Sequence, residues 1–478
     1  MAIRTKEQYL DSLRRQNPRV FIAGEQVTDV VNSAYFKPSL EENCKFYDWM
    51  NDPGKRNDFV CWSPLINEEV SFWTHIRQSK DEWKTMVEVM KKNNSRNFCS
   101  FCMGTGPAAI WAVTYEIDKA KGTNYHERVK EFFKKLQKND DRFCLGLMDP
   151  KGDRSLPPSR QADPDLFLRI VDRTPDGIIV NGAKMHTSSA PLMHYIFCAP
   201  SGHRGEEDKD YAVSFAIPID TKGISFITRP SPCPVEPTEM TNPASIRHNM
   251  VECLTVFDNV FVPWENVFMA GEWEFTDRFI HLFSSYARIV KATCVSARTD
   301  MIAGAAALIA DYNGVSKAGH IRSKINDMAI SSKIGWGCVL GAIANAVEHP
   351  SGFSIPDISI GNAGLYYTRL RFVEFLGMLM EIAGGVVTTM PLEADYLNPQ
   401  TRPLIEKYFK GKASVSTEDR LRLLYFIQEL TASRFGGYFL SSAICAVGTP
   451  ETNRLEVMRN YDLKTQIENV KDICGINS

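Results

Sequence analysis

The stretch Met148 to Ser189, MDPKGDRSLPPSRQADPDLFLRIVDRTPDGIIVNGAKMHTSS, decides how the rest of the chain is read. It opens with the turn Asp149-Pro-Lys-Gly-Asp-Arg154 and closes in Gly182-Ala-Lys184 followed by His186-Thr187-Ser188-Ser189. Between them Leu166 to Asp172 alternates apolar and charged residues, and Gly177 to Asn181 is an apolar, β-branched run after the turn Thr174-Pro-Asp-Gly177. Two short strands are predicted. Backbone amides and hydroxyls at the exit of such a hairpin can bond a polar ring edge without bringing charge to it, which is what a flavin asks of a protein.

Working outward, the chain has 478 residues and 44% hydrophobic content, enough for sizeable cores in two to four domains. Lys and Arg total 55 against 57 acids, a net charge of −2, so there is no broad cationic field for nucleic acid or anionic lipid. No apolar run approaches the roughly 18 residues of a membrane span; Phe372 to Met380, for example, is broken by Glu374 and followed by Glu381. The start, MAIRTKEQYLDSLRR, reads as an amphipathic helix with no apolar signal core, and the expectation is a cytoplasmic protein. Twelve scattered cysteines in a chain of this size argue for reduced thiols, most of them small core residues.

The texture changes twice. Residues 1–140 are mainly helical, 141–275 hold short β-branched runs (Ala212 to Ile219, Gly223 to Thr228, Thr255 to Val262), and 276–478 return to helical periodicity. The long helical segments are Phe275 to Tyr312, Lys317 to Glu348, Ala363 to Gly384 and Thr417 to Ala446. In the second, Ile321, Ile325, Met328 and Ser332 share one face, as a packed amphipathic helix requires. The expected fold is α+β: an N-terminal helical domain, a middle β domain and a C-terminal helical bundle, an order that matches the acyl-CoA dehydrogenase architecture.

Longer matches identify a family. Glu7-Gln-Tyr-Leu-Asp-Ser-Leu-Arg14, Gly24-Glu-Gln-Val-Thr-Asp-Val30, Asp149-Pro-Lys-Gly-Asp-Arg154, Gln161-Ala-Asp-Pro-Asp165, Gly182-Ala-Lys184 and Val256-Phe-Asp-Asn-Val-Phe-Val-Pro263 resemble the 4-hydroxyphenylacetate 3-hydroxylase flavoprotein family, within it the branch of 4-hydroxybutyryl-CoA dehydratase/vinylacetyl-CoA isomerase. The resemblance implies FAD between the β domain and the C-terminal helices, with its ring against the Met148 turn (Met148, Asp149, Lys151) and the exit His186, Thr187 and Ser188. It also implies a homotetramer. Glu381-Ile-Ala-Gly384-Gly385, with Pro391, resembles the family's Gly-Gly segment, where backbone approaches the cofactor, often from a neighbouring subunit; tight helix packing is the plainer reading of these glycines.

The same resemblance implies a four-iron four-sulfur cluster held by two cysteines four positions apart, then a histidine and a third cysteine. Cys102 and Cys294 match; the first position falls on Phe98 with Cys99 displaced by one, and Ala287 stands at the histidine. Two of four ligands thus depart, including the histidine on the iron that, in the family, takes the leaving hydroxyl. Lys291 replaces a family tyrosine, Ser442 stands where a catalytic glutamate would be, and Glu252 matches a family acid. Cys99 and Cys102 with Cys294 either bind a cluster or metal with a fourth ligand, form a redox pair, or merely line a pocket. His281 lies almost two turns from Ala287, and His186 reads as a hydrogen-bonding or packing residue.

The leading expectation is an FAD enzyme acting on a short-chain acyl-CoA, with Glu252 taking the thioester-acidified α-proton and Lys291 as a second catalytic candidate. A strand-end salt-bridge partner is the bland reading of Glu252. The alternative is an oxygenase component that takes reduced flavin from a partner reductase and acts on an aromatic substrate. That branch implies an Arg and a Tyr where Phe98-Cys-Ser-Phe-Cys102 stands and a His in Met148-Asp-Pro-Lys151; Arg96 is out of register. A catalytically silent partner subunit is the third class.

Overall fold

The computed structural model describes residues 3–97, 106–248 and 250–476. Its first helix, α1 (Lys6–Arg14), starts at a capping box in which the Thr5 hydroxyl accepts from the Gln8 amide and the Gln8 side chain accepts from the Thr5 amide. The helices α2 (Lys37–Asn51), α3 (Arg56–Phe59), α4 (Lys80–Asn97), α5 (Gly106–Lys121) and α6 (Tyr125–Asn139) follow. Two hairpins interrupt them, β1 and β2 (Val20–Ile22, Glu25–Val27) and β3 and β4 (Val60–Ser63, Glu68–Ser71). β1 pairs in parallel with a strand some two hundred residues further on, so this mainly helical stretch also supplies an edge to the main sheet. Three-residue strands carry too little pattern to be read in advance.

Strands dominate next: β5 (Phe143–Gly146), β6 (Arg169–Arg173), β7 (Gly177–Ser188), β8 (Tyr195–Cys198), β9 (Val213–Pro218), β10 (Ile224–Arg229), β11 (Glu252–Pro263) and β12 (Val267–Ala270). They form a six-stranded sheet ordered β2-β1-β10-β11-β7-β6 and a four-stranded sheet ordered β12-β9-β8-β5. The expected short strand after Gly177 is in fact twelve residues long. Its inward alternation persists through Gly182 and Lys184 to Thr187, and the lysine hid it from a hydrophobic reading. Gly182 sits at φ +120°, where a Cβ would lie 2.3 Å from the Phe167 carbonyl oxygen; only glycine lets the two backbones pass.

The C-terminal part holds α7 (Thr276–Tyr312), α8 (Gly319–Ala344), α9 (Ile358–Ala383), α10 (Glu393–Leu397), α11 (Arg402–Tyr408), α12 (Thr417–Thr431), α13 (Arg434–Cys445), α14 (Pro450–Arg459) and α15 (Leu463–Cys474). Every residue of α7 from Ser284 to Thr299 is buried, because α4 and α5 pack against it as well as α8 and α9. A helix enclosed on all sides needs no polar face. By length and composition α7 is therefore apolar enough to cross a membrane, contrary to the expectation that no segment would be, but 67% of that window is packed inside the protein. The helix expected over Thr417 to Ala446 is two: Ala432 leaves helical geometry, and Ser433 restarts the chain by accepting from the Gly436 amide.

Candidate active site

The Met148 turn is fixed against β7 by two devices. The Met185 amide donates to the Met148 carbonyl at 2.7 Å. Behind it Asp149 is buried with both oxygens used: Oδ1 accepts from Lys184 Nζ at 2.6 Å, and Oδ2 accepts from Arg204 Nη2 at 2.6 Å and Ser201 Oγ at 2.5 Å. Lys184 also donates to the carbonyls of Leu147 and Ala199, so all three ammonium protons are satisfied. Asp149 and Lys184 are thus the lock that holds the turn, with both Asp149 oxygens engaged inside it. Arg204, the third member, carried no signal in the sequence.

At the exit β7 carries a bulge. Cys253 of β11 faces Thr187 and Thr255 faces Lys184, so two steps on one strand oppose three on the other, and His186 takes φ +57°. The bulge turns the edge of His186 outward, while partial desolvation of the ring and then the Lys151 charge hold its imidazole below the ordinary value. Thr187 differs from the expectation: its side chain is turned inward, donating to the Cys253 carbonyl and bonding the Thr255 hydroxyl, and its backbone pairs with Cys253 in the sheet. Met148 keeps 40% of its surface, Lys151 is exposed, and Ser188 is half-buried. An apolar Met148 face, an imidazole and a cation are a set that fits a flat ring with a polar edge.

Register brings Glu252 opposite Ser188 at the sheet end. Ser188 Oγ donates to one carboxylate oxygen at 2.8 Å and the Tyr438 hydroxyl of α13 donates to the other at 3.2 Å. Burial pushes the Glu252 carboxyl up, and those two hydrogen bonds offset part of the rise. Arg229, its cross-strand partner on β10, also favours the charged form, so Glu252 meets a hydroxyl at each oxygen and a cation beside it. Arg229 lies 5.7 Å from the Tyr438 ring centroid and buried His248 packs 5.5 Å from it. One helical turn beyond Tyr438, Ser442 meets α7: its oxygen accepts from Lys291 Nζ at 3.2 Å and Arg298 Nη1 at 3.4 Å. Glu252 and Lys291 are thus each hydrogen-bonded to α13, through Tyr438 and Ser442, which stand one turn apart. Tyr438 and Arg298 were missed; the i, i+4 spacing of Tyr438 and Ser442 was the available signal.

The expected cluster residues are divided. Cys99, Cys102 and Phe98 lie outside the described residues, as does the Arg/Tyr region implied by the oxygenase branch. Cys294 is buried on α7 between Lys291 and Arg298, and Ala287, two turns earlier, is buried as well; His281 is paired to Glu456 at 3.3 Å. Among the described residues no group of three His, Cys, Asp or Glu side chains could hold a metal. This part of the ligand set does not fit a cluster of the family pattern. Gly384 and Gly385 end α9 in open space, with nothing within 4 Å of a Cβ built on either, so helix packing within the chain does not account for them.

Residues 5–269 match the family model for the N-terminal part of 4-hydroxyphenylacetate 3-hydroxylase, and residues 276–475 match that for its C-terminal part. The chain is 32% identical over 487 aligned residues to 4-hydroxybutyryl-CoA dehydratase/vinylacetyl-CoA-Delta-isomerase of Clostridium aminobutyricum, with 99% of each covered. An oxygen-tolerant archaeal 4-hydroxybutyryl-CoA dehydratase from N. maritimus superposes with a TM-score of 0.93 at 31% identity, covering 100% of this chain and 96% of that one. The oxygenase component of 4-hydroxyphenylacetate 3-monooxygenase, complexed with FAD and 4-hydroxyphenylacetate, shares the fold at a TM-score of 0.88 and 24% identity, covering 98% of both. With both parts matched and a full-length relative above 30% identity, the chain belongs to the 4-hydroxyphenylacetate 3-hydroxylase family.

Proposed function

We propose that this protein is an FAD-dependent enzyme of the dehydratase/isomerase branch that acts on a short-chain acyl-CoA. The observation that carries the reading is Glu252, a carboxyl with its pKa pushed up by burial, held between Ser188 and Tyr438 at the exit of β7. A base of raised pKa is closer in strength to the thioester-acidified α-proton it must take, and two hydroxyl donors fix its lone pairs toward one approach. Met148, Lys151, His186 and Ser188, with Gly384 and Gly385 of this or a neighbouring subunit, would hold FAD. FAD supplies, when bound, the acceptor for hydrogen from the β-carbon. Among the described residues Ala287 and Cys294 do not make the family's cluster site, so no step for an unactivated hydroxide leaving group is derived, and double-bond isomerisation or dehydrogenation is the chemistry these side chains support.

The 32% identity to the Clostridium aminobutyricum enzyme supports the substrate class. We further read the chain as an acyl-CoA dehydrogenase-like arrangement of units 1–140, 141–275 and 276–478, working as a cytoplasmic homotetramer. The test is one preparation made without oxygen. FAD, iron and sulfide are counted per chain, and crotonyl-, vinylacetyl- and 4-hydroxybutyryl-CoA are screened for spectral change and turnover. FAD retained through purification, with turnover of an unsaturated acyl-CoA abolished in Glu252→Gln, is the expected result. Correctly folded protein that takes up no FAD sinks the proposal; loose binding of reduced flavin with oxygen-dependent turnover of a phenol replaces it with the oxygenase reading.

A further inference from the structure

Glu429 on α12 is a buried carboxylate that serves a segment outside its own helix. One of its oxygens accepts from the Ala244 amide at 2.7 Å and the Ser245 amide at 3.2 Å. The other accepts from the Ser245 hydroxyl at 2.5 Å and the Asn242 side-chain amide at 3.4 Å. These bonds grip the short helical turn Ser245–Arg247, and the next residue is His248. The Glu429 carbonyl also accepts from the Ser433 hydroxyl, which caps α13 by accepting from the Gly436 amide. One residue thus anchors both the turn that delivers His248 and the start of the helix that carries Tyr438. Bonds from backbone amides to an ionised carboxylate are charge-assisted, which makes the anchor a stiff one.

The two segments meet at Tyr438. Buried His248 packs its ring 5.5 Å from the Tyr438 ring and, edge-on, 6.0 Å from that of Phe435, three residues earlier on α13. Arg229 of β10 lies 5.7 Å from the same Tyr438 ring, whose hydroxyl donates to Glu252 at 3.2 Å. We infer that His248, seated by Glu429, is a positioning residue that holds the Tyr438 hydroxyl on the Glu252 carboxylate. The catalytic consequence rests on the reading of Glu252 as the base; the contact itself does not. Among the described residues Glu252 is faced by the Arg229 cation from β10, the Ser188 hydroxyl from β7 and the Tyr438 hydroxyl from α13, and His248 acts on it through Tyr438.

The test is a pH titration of the Glu252 carboxyl in the full-length, FAD-loaded protein, read from its infrared carbonyl band with Glu252→Gln as the blank, alongside the acid limb of kcat/KM. The Tyr438 hydrogen bond favours the charged form, so Tyr438→Phe, His248→Leu and Glu429→Gln should each raise the midpoint by about 0.5 to 1 pH unit. The shifts should not add: His248→Leu placed in the Tyr438→Phe background should move the midpoint by less than about 0.2 unit further. His248→Phe, which keeps a ring against Tyr438, should leave the midpoint where it is in the unaltered protein. An unshifted midpoint in His248→Leu or in Glu429→Gln overturns the inference, and so does a shift that adds in full to that of Tyr438→Phe. Either variant decides the matter if the other fails to fold. The infrared titration needs no substrate. A non-additive shift without turnover of any acyl-CoA keeps the positioning role and removes the reading of Glu252 as the α-proton base, whereas turnover with absent or additive shifts does the reverse.

Discussion

Replacing Asp149 by Asn tests whether the turn at Met148 is held by charge. Asp149, Lys184 and Arg204 together carry one net positive charge, and the two cations have side-chain exposures of 2% and 8%. Asn keeps the volume but leaves two buried cations facing each other, the situation for which removal of one partner costs about 3 to 5 kcal/mol. The lower part of that range applies, since Lys184 retains the Leu147 and Ala199 carbonyls and Arg204 Nη1 retains the His203 carbonyl. Lys184→Met should cost less, about 1 to 3 kcal/mol, because Asp149 keeps Arg204 and Ser201. Charge counting then fixes a sign: in Asp149→Asn/Lys184→Met only Arg204 remains, so the double variant should be more stable than Asp149→Asn alone. A favourable coupling of about 1 to 3 kcal/mol is expected. Urea midpoints of the four proteins at unchanged slope give the cycle. A double variant that merely sums the two single losses would show that the triad packs without mattering electrostatically, and refute the argument.

Glu252→Gln keeps partners for both hydroxyls and should lower kcat by about 100- to 10,000-fold with little change in the urea midpoint. The acid limb of kcat/KM should lie above the ordinary carboxylate value of 4.5, and Tyr438→Phe, which removes a hydrogen bond that favours the charged form, should move that limb to higher pH. Gly384 sits at φ +80°, ψ 167°, a region essentially reserved for glycine, so Gly384→Ala should cost about 1 to 3 kcal/mol. Gly385→Ala meets no atom in the chain and should leave stability unchanged while weakening FAD retention, measured by absorbance after gel filtration. Burial lifts the Asp140 carboxyl to about 7 against 3.8 unfolded, so the native state holds a proton that the unfolded chain releases. The stability this confers is complete below pH 3.8 and lost as the pH rises to about 7. Asp140→Asn, suited to the left-handed φ of +49°, should therefore gain on the unaltered protein across that window and hold a constant advantage above it, read from melting temperatures at pH 5, 6, 7 and 8.

Legibility in the sequence followed the range of the interactions. The helices over 276–312 and 319–344, and the strands ending at Pro218 and Pro263, are set by periodicity among near neighbours, and the sequence patterns placed them within a few residues. Glu252 and Lys291 came from matching residue types to a family pattern, and that too needs only one dimension. What the sequence by itself determined about this protein is its family and the succession of its elements. The tertiary structure alone decided that Thr187 turns inward while His186 is thrown outward, because a bulge depends on how β11 pairs with β7, some seventy residues apart. It alone paired Asp149 with Arg204, put Tyr438 on Glu252 and drew Lys291 and Arg298 to one hydroxyl across about 150 residues of chain. Side-chain convergence of that kind is fixed by the packing of whole helices and sheets against one another, and no local pattern of residues encodes it.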